Sequence, residues 1–196
     1  MLNIIIGHRG TGKTHFLKLI QNYYKKHGLK AQFFDLDQEI EKKTRKTVFE
    51  LFKNGEEYFR KWEKKTFHKI VKSLKKNRTY FLTVGAGFTF KKSKDWNVIY
   101  LSRESDKNGR IFLNRPSLTN KDPLTEYKNY YNKRTPYYIK QADEHLFRRE
   151  HFKKLEDSDL LFLSLKKIKR KSFILTLYPE LIPKNTKSLS KKIIKK

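Results

Sequence analysis

Apolar residues follow two alternating rhythms along this chain. Continuous short runs occur at Ile4 to Ile6, Ala31 to Phe34, Thr79 to Val84 and Asn97 to Leu101, and between them apolar positions fall three and four apart. A continuous run reads as a strand buried on both faces; the longer period reads as a helix with one face inward. The helical stretches are Thr14 to Lys26, closed by His27-Gly28, the short Gln38 to Lys43 and Val48 to Lys53, and the long Glu56 to Lys76. In the last, Phe59, Trp62, Phe67, Ile70, Val71 and Leu74 form a stripe that reads as core. Leu124 to Tyr138 returns to helical spacing, with an interruption expected at Pro136. Glu144 to Phe147, Leu160 to Leu165 and Phe173 to Tyr178 read as further strands. Strands alternating with helices predict an α/β domain whose parallel sheet is covered on both faces.

The polar residues at the ends of these strands carry the chemistry. Gly7-His8-Arg9-Gly10-Thr11-Gly12-Lys13-Thr14 follows the first strand and opens the first helix, His15 to Ile20 continuing it, and matches G-x-x-x-x-G-K-[ST]. Glycines let successive N–H groups turn toward a phosphate at the positive end of the helix. Lys13 then reaches the β- and γ-phosphates, and the Thr14 hydroxyl is placed for Mg²⁺. A nucleoside triphosphate is the expected ligand. In an α/β sheet the ligand crevice lies beyond the carboxyl ends of the strands, so this loop, Asp35 with Asp37, and Gly85-Ala86-Gly87 are expected to face one another. Two carboxylates two residues apart at a strand end point to one side, one suited to a metal-held water and the other to a substrate hydroxyl. The plainer reading of the pair is helix capping ahead of Gln38, which either Asp can perform but not both.

Composition narrows the context. With 196 residues the chain is long enough for one domain with a sizeable core, and it has no cysteine, which excludes disulfides, thiolate metal sites and a thiol nucleophile. Because the first strand starts at once and no run of about 18 apolar residues occurs, a cytoplasmic protein with no membrane association is expected. The balance of 47 Lys+Arg against 20 Asp+Glu, +27, would ordinarily suggest a polyanionic partner. These lysines are spread over every segment beside many Asn, Ile, Phe and Tyr, a pattern of compositional drift, so no specific nucleic-acid partner is expected. Lys166 to Lys196 differs in holding eleven Lys or Arg and one acid, Glu180. It reads as a basic C-terminal extension, in part disordered.

Taken in order, six motifs resemble those of shikimate kinase: Gly7 to Thr14, Asp35-Leu36-Asp37, Gly55-Glu56-Glu57-Tyr58-Phe59-Arg60, Gly85-Ala86-Gly87, Arg115-Pro116, and Lys133-Arg134-Thr135-Pro136-Tyr137-Tyr138. The likeness spans residues 2 to 143. It implies a three-layer α/β/α P-loop kinase fold of the nucleoside-monophosphate-kinase type, with a central, mainly parallel five-stranded sheet and a mobile lid at about 102–121. The domain would cover residues 1–165, with 166–196 as the extension. The implied activity moves the γ-phosphoryl group of ATP to the 3-hydroxyl of shikimate, with Mg²⁺ as cofactor.

The same resemblance distributes roles. Lys13, Asp37 and Arg115 would be catalytic, Asp37 as base. Gly7, Arg9, Gly10, Thr11, Gly12, Lys13, Thr14, His15, Arg110 and Arg115 would bind the nucleotide. Thr14 would hold the metal directly, and Asp35, with Thr83 near it, through water. Asp37, Arg60, Gly85, Ala86, Gly87 and Arg134 would bind the acceptor, the two arginines as a guanidinium clamp on its carboxylate. Ala86 departs from the family's middle glycine, adding a Cβ where the acceptor comes close, and no adenine-binding segment is recognisable in Glu144 to Lys154. The partners expected are ATP and shikimate, on a monomer. The alternatives are another small-molecule kinase of this fold, gluconate kinase for example, or a non-enzymatic P-loop protein binding RNA or anionic surfaces through its basic tail.

Overall fold

A computed structural model of the protein describes residues 1–103, 122–148 and 160–164. In chain order the elements are β1 (Leu2–Ile6), α1 (Lys13–Lys26), β2 (Gln32–Asp35), α2 (Leu36–Thr44), α3 (Val48–Phe52), α4 (Glu56–Ser73), β3 (Tyr80–Thr83), β4 (Trp96–Arg103), α5 (Pro123–Gln141), β5 (Glu144–Arg148) and β6 (Leu160–Ser164). The strand order is β2-β3-β1-β4-β5-β6. The first five strands are parallel, as expected, and β6 adds an antiparallel strand beyond β5. Arg110, Arg115, all of 104–121 within the expected lid, the strand expected at Phe173 to Tyr178 and the basic extension lie outside the described residues.

Alternation along each buried strand builds two cores, one on either face of the sheet. Ile4, Ile6, Tyr80, Leu82, Val98 and Tyr100 point into one, where α2, α3, α4 and α5 contribute Leu36, Ile40, Leu51, Phe59, Phe67, Ile70 and Tyr138. Ile5, Phe81, Ile99, Leu101 and Leu146 point into the other, closed by Phe16, Leu17 and Ile20 of α1. Of the stripe on α4, Phe59, Phe67 and Ile70 are buried and Trp62 and Val71, with Leu74 just past the helix end, pack partly buried against them, which makes it core as expected. No helix among the described residues is long and apolar enough to cross a membrane.

Three local expectations are corrected. The helix α5 is not interrupted by Pro136 but runs through it to Gln141. An internal proline costs about 3 kcal/mol, yet the residues beyond it are tied down. The Tyr138 hydroxyl accepts from the Gly87 N–H at 3.1 Å, and that of Tyr137 accepts from Phe90 N at 2.8 Å. Helix α4 stops at Ser73 rather than Lys76, since Leu74 turns extended to lead into β3 and the Lys75 N–H is taken by the Tyr80 hydroxyl at 2.9 Å. Asp35 and Asp37 do not share a strand end: β2 closes on Asp35, and α2 begins at Leu36.

Gly7 shows how tightly the loop after β1 sits on the sheet. Its φ is +155°, and a Cβ built there would lie 2.3 Å from the Leu101 carbonyl oxygen of β4, a backbone atom with little freedom to retreat. Gly7→Ala is therefore expected to cost about 2 kcal/mol or more in denaturant unfolding. An unchanged midpoint would mean that loop and strand separate without cost.

Candidate active site

Because β2, β3 and β1 are neighbours in register, Asp35 beside Thr83 and Thr83 beside Ile5, their carboxyl ends bring three polar segments to one edge. Two adjoining cavities open there. The larger, of about 430 Å³, is lined by Arg9, Gly10, Gly12, Lys13, Thr14, His15, Lys18, Asp35, Asp37, Thr83, Val84 and Ala86. The smaller, of about 110 Å³, is lined by His8, Arg9, Asp37, Val48, Phe52, Glu56, Phe59, Arg60, Gly85, Ala86, Glu126, Tyr127, Tyr130 and Arg134. Arg9, Asp37 and Ala86 belong to both.

In the larger cavity the phosphate loop is held by its own backbone. Thr11 N–H and hydroxyl both reach the His8 carbonyl, at 3.4 and 2.9 Å, and the Lys13 ammonium donates to the Gly7 and His8 carbonyls at 3.0 Å each. Thr11 is buried and Gly7 backs onto β4, so these two expected nucleotide ligands shape the loop rather than line the cavity. Gly12, in the left-handed region, caps α1 without a side chain. The Thr14 hydroxyl donates to Asp35 Oδ2 at 2.7 Å, while Asp35 Oδ1 accepts from the N–H groups of Asp37 and Gln38. Asp35 thus does cap α2, and the same carboxylate faces Thr14. The Thr83 hydroxyl beside it is buried without a hydrogen bond. Hydroxyl and carboxylate oxygens are the hard donors that Mg²⁺ takes, so Thr14, Asp35 and Thr83 fit such an ion. Among the described residues no group of three or more His, Cys, Asp or Glu could hold a metal.

The smaller cavity is a nest of charges in an apolar wall. Arg60, on α4, forms ion pairs with Glu56 at 2.8 Å and, at closer range, with the fully buried Glu63, and donates weakly to the Ala86 carbonyl at 3.4 Å. Arg134, on α5, stacks its guanidinium over the Tyr130 ring at 3.8 Å. Burial, with the like charge of Arg60 adding to it, holds Arg134 below the ordinary arginine value. The two guanidiniums thus line one cavity. A Cβ at Gly87 would come within 2.7 Å of Arg134 Cζ, so Gly87 makes room for that guanidinium and does not itself line the cavity. Gly85 is equally constrained, since its Cβ would lie 2.2 Å from Glu63 Oε1 and 3.2 Å from Asp37 Oδ1. Ala86 has no left-handed backbone, so its methyl group is tolerated without strain and lines both cavities.

The carboxylates here are perturbed. Asp37 Oδ1 is cut off from solvent without a hydrogen-bond partner. Burial first, then the charge of Asp35, pushes Asp37 up to about 6 against the pull of Lys13. Burial pushes Glu63 up to about 7 against the opposing attraction of Arg60. Glu63 was missed in sequence because a lone Glu in a lysine-rich helix reads as solvated; its place three residues after Arg60 was the available signal. His8 was also missed. It is buried, stacked on Tyr131 at 4.6 Å and edge-on to Tyr138 at 4.9 Å. Burial, with Lys13 and Arg134 adding to it, lowers its pKa to about 3, so it is neutral. The Thr135 hydroxyl spends its proton on the Tyr131 carbonyl at 2.7 Å, so His8 Nε2 is the donor across 3.1 Å to that hydroxyl. Lys18 on α1 is a third addition and Arg103 a fourth, its guanidinium 3.8 Å from where a Gly12 Cβ would be.

The raised pKa of Asp37 has a sign in stability. The fold favours the neutral acid, so its contribution is whole below the ordinary value of 3.8 and is lost as pH rises through about 6. Asp37→Asn is expected to raise the thermal midpoint at pH 8 by an amount worth roughly 1 to 2 kcal/mol and to leave it nearly unchanged at pH 4. Equal differences at the two pH values would contradict the buried-charge account.

Comparison with known proteins gives one family. Residues 9–165 match the family model described as shikimate kinase. A shikimate kinase of Clostridium beijerinckii is 34% identical over 113 residues, 58% of either chain. One of Caldanaerobacter subterraneus is 31% identical over 156 residues, 70% of this chain and 82% of that one. The chain spans 58 to 59% of the length of the two clostridial relatives first matched. Among solved structures, the shikimate kinase of Bacteroides thetaiotaomicron superposes with a TM-score of 0.56 at 25% identity, covering 76% of this chain and 86% of that one.

Proposed function

The chain belongs to the shikimate kinase family, and on that premise we propose that it transfers the γ-phosphoryl group of ATP to the 3-hydroxyl of shikimate, giving shikimate 3-phosphate. The observation that carries this reading is the pair of guanidiniums, Arg60 and Arg134, in a small cavity that meets the phosphate-loop cavity at Asp37. Two buried cations that repel each other are stabilised by an anion between them, and a planar carboxylate suits two guanidiniums. A non-enzymatic phosphate-binding protein would have no use for this second cavity.

Each residue then has a task in phosphoryl transfer, where positioning and charge neutralisation do most of the work. The loop N–H groups and Lys13 hold the β- and γ-phosphates. Thr14, with Asp35 acting through water, is the place for Mg²⁺, which when bound neutralises the phosphate oxygens. Asp37 faces both cavities, accepts from the shikimate hydroxyl and takes its proton. Glu63 holds Arg60, and Tyr130 holds Arg134, in the orientation the carboxylate requires. Phe52, Phe59 and Val48 give the acceptor ring an apolar wall. The match over residues 9–165 supports one kinase domain ending near residue 165; cytoplasmic location and a monomeric state accord with this reading.

A coupled ADP-release assay with shikimate tests the activity directly. Arg60→Lys and Arg134→Lys should each raise the KM for shikimate by a step of about 1 to 3 kcal/mol, because an ammonium cannot make the paired contact. An analogue lacking the carboxylate should bind wild type and variants equally poorly. Variants that still prefer shikimate to that analogue as strongly as wild type does would rule the clamp out.

The pH profile tests the base. Asp37 works only when ionised, so with its pKa pushed up to about 6, kcat should rise as pH increases through that value and stay level above it. A kcat that is flat from pH 5 to pH 8 would remove Asp37 from that role.

A further inference from the structure

Of the three residues common to both cavities, Asp37 is an acid, Ala86 has no functional group, and Arg9 is a cation. The phosphoryl group must cross from one cavity to the other at their junction. Lys13 lines the nucleotide cavity and not the acceptor cavity; Arg60 and Arg134 line the acceptor cavity and not the nucleotide one. Among the described residues Arg9 is thus the cation that lines both cavities.

Its backbone is held for the purpose. The bond from Thr11 N–H to the His8 carbonyl closes a turn with Arg9 and Gly10 at its corners, and Gly10 has the φ of +86° that the second corner of such a turn can require. The residue before it, His8, is anchored in the tyrosine nest and bonded to Thr135, one position from Arg134. Arg9 therefore projects from the apex of a loop fixed both to its own turn and to α5.

We infer that Arg9 is a catalytic residue of the transfer step: its guanidinium binds the equatorial oxygens of the γ-phosphoryl group as it passes toward the acceptor, supplying in cis a charge that bears on the transition state more than on bound ATP. This rests on the kinase reading above. No bond is made to Arg9. The acceptor oxygen forms the new P–O bond, the bridging oxygen of ADP leaves with the electron pair, and the acceptor proton goes to Asp37.

The test uses the full chain with Arg9→Met, which keeps length without charge, and Arg9→Lys, which keeps charge without the planar fork. Nucleotide affinity is measured by calorimetry with a non-hydrolysable ATP analogue, kcat and KM with shikimate, and slow ATP hydrolysis without an acceptor. Arg9→Met should lower kcat by about a hundredfold or more, leave nucleotide affinity and the KM for shikimate within roughly threefold, and depress acceptor-free hydrolysis in parallel. Arg9→Lys should recover part of the loss. A kcat within about threefold of wild type overturns the inference, as does a loss confined to the KM for shikimate or to nucleotide affinity. If wild type does not phosphorylate shikimate, the kinase reading fails separately, and Arg9 is judged on hydrolysis: depressed turnover at unchanged affinity sustains it, unchanged turnover ends it. Should Arg9→Met fail to fold, the same criteria apply to Arg9→Lys and Arg9→Gln.

Discussion

The parallel pairing of β2, β3 and β1 is the constraint on which the site depends. Asp35, Thr83 and Ile5 lie side by side in register, so the chain leaves three neighbouring strands at the same level. Everything polar that follows is thereby gathered on one edge: the phosphate loop after β1, the Asp35 cap after β2, and Gly85 after β3. A parallel sheet buried on both faces cannot slip by one residue without sending Ile4, Ile6 and Leu82 into the core that Ile5 and Phe81 occupy. The precision of the crevice is inherited from that packing.

On this frame the protein holds charges that cost stability. Asp37 and Glu63 both approach Gly85, both raised well above ordinary carboxylates, while Arg60 and Arg134 repel each other close by. Only part of this set is compensated internally, through the pairs of Arg60 with Glu56 and Glu63 and the stacking of Arg134 on Tyr130. Sites that must receive an anion and a hydroxyl in a dry cavity are expected to carry such uncancelled charge, and to be less stable for it. Gly85 and Gly87 are spaces left for the carboxylates and the guanidinium, not hinges.

The phosphate loop is more than a nucleotide cradle in this chain. Through His8 it is bound into α5, the helix that carries Arg134, so the two cavities share a mechanical support as well as a border. That support is neutral because its burial and two nearby cations keep the imidazole unprotonated. A charged histidine there would add a third cation against Lys13 and Arg134.

Much of this was legible in the chain itself. The strands, the helices and the loop motif were readable because each rests on local periodicity or a short motif whose residue types have few other uses. Arg60 and Arg134, by contrast, stood out from the other basic residues only through the family resemblance of the motifs that carry them. The sequence read alone did not reveal the depth of Glu63, the neutrality of His8, the unbroken helix at Pro136, or the separation of Asp35 and Asp37 between a strand and a helix. A glutamate among lysines looks solvated until Gly85 and Arg60 close over it, and a histidine in a loop gives no sign of burial until four tyrosines surround it. Pro136 is a breaker by local rule, overridden by hydroxyl contacts to residues 87 and 90, nearly fifty positions away. The sequence by itself determined which chemical groups were present and which faces turned inward, since those follow from neighbours along the chain. The tertiary structure alone decided which charges lost their water and what they met there, because desolvation depends on residues that only folding brings together.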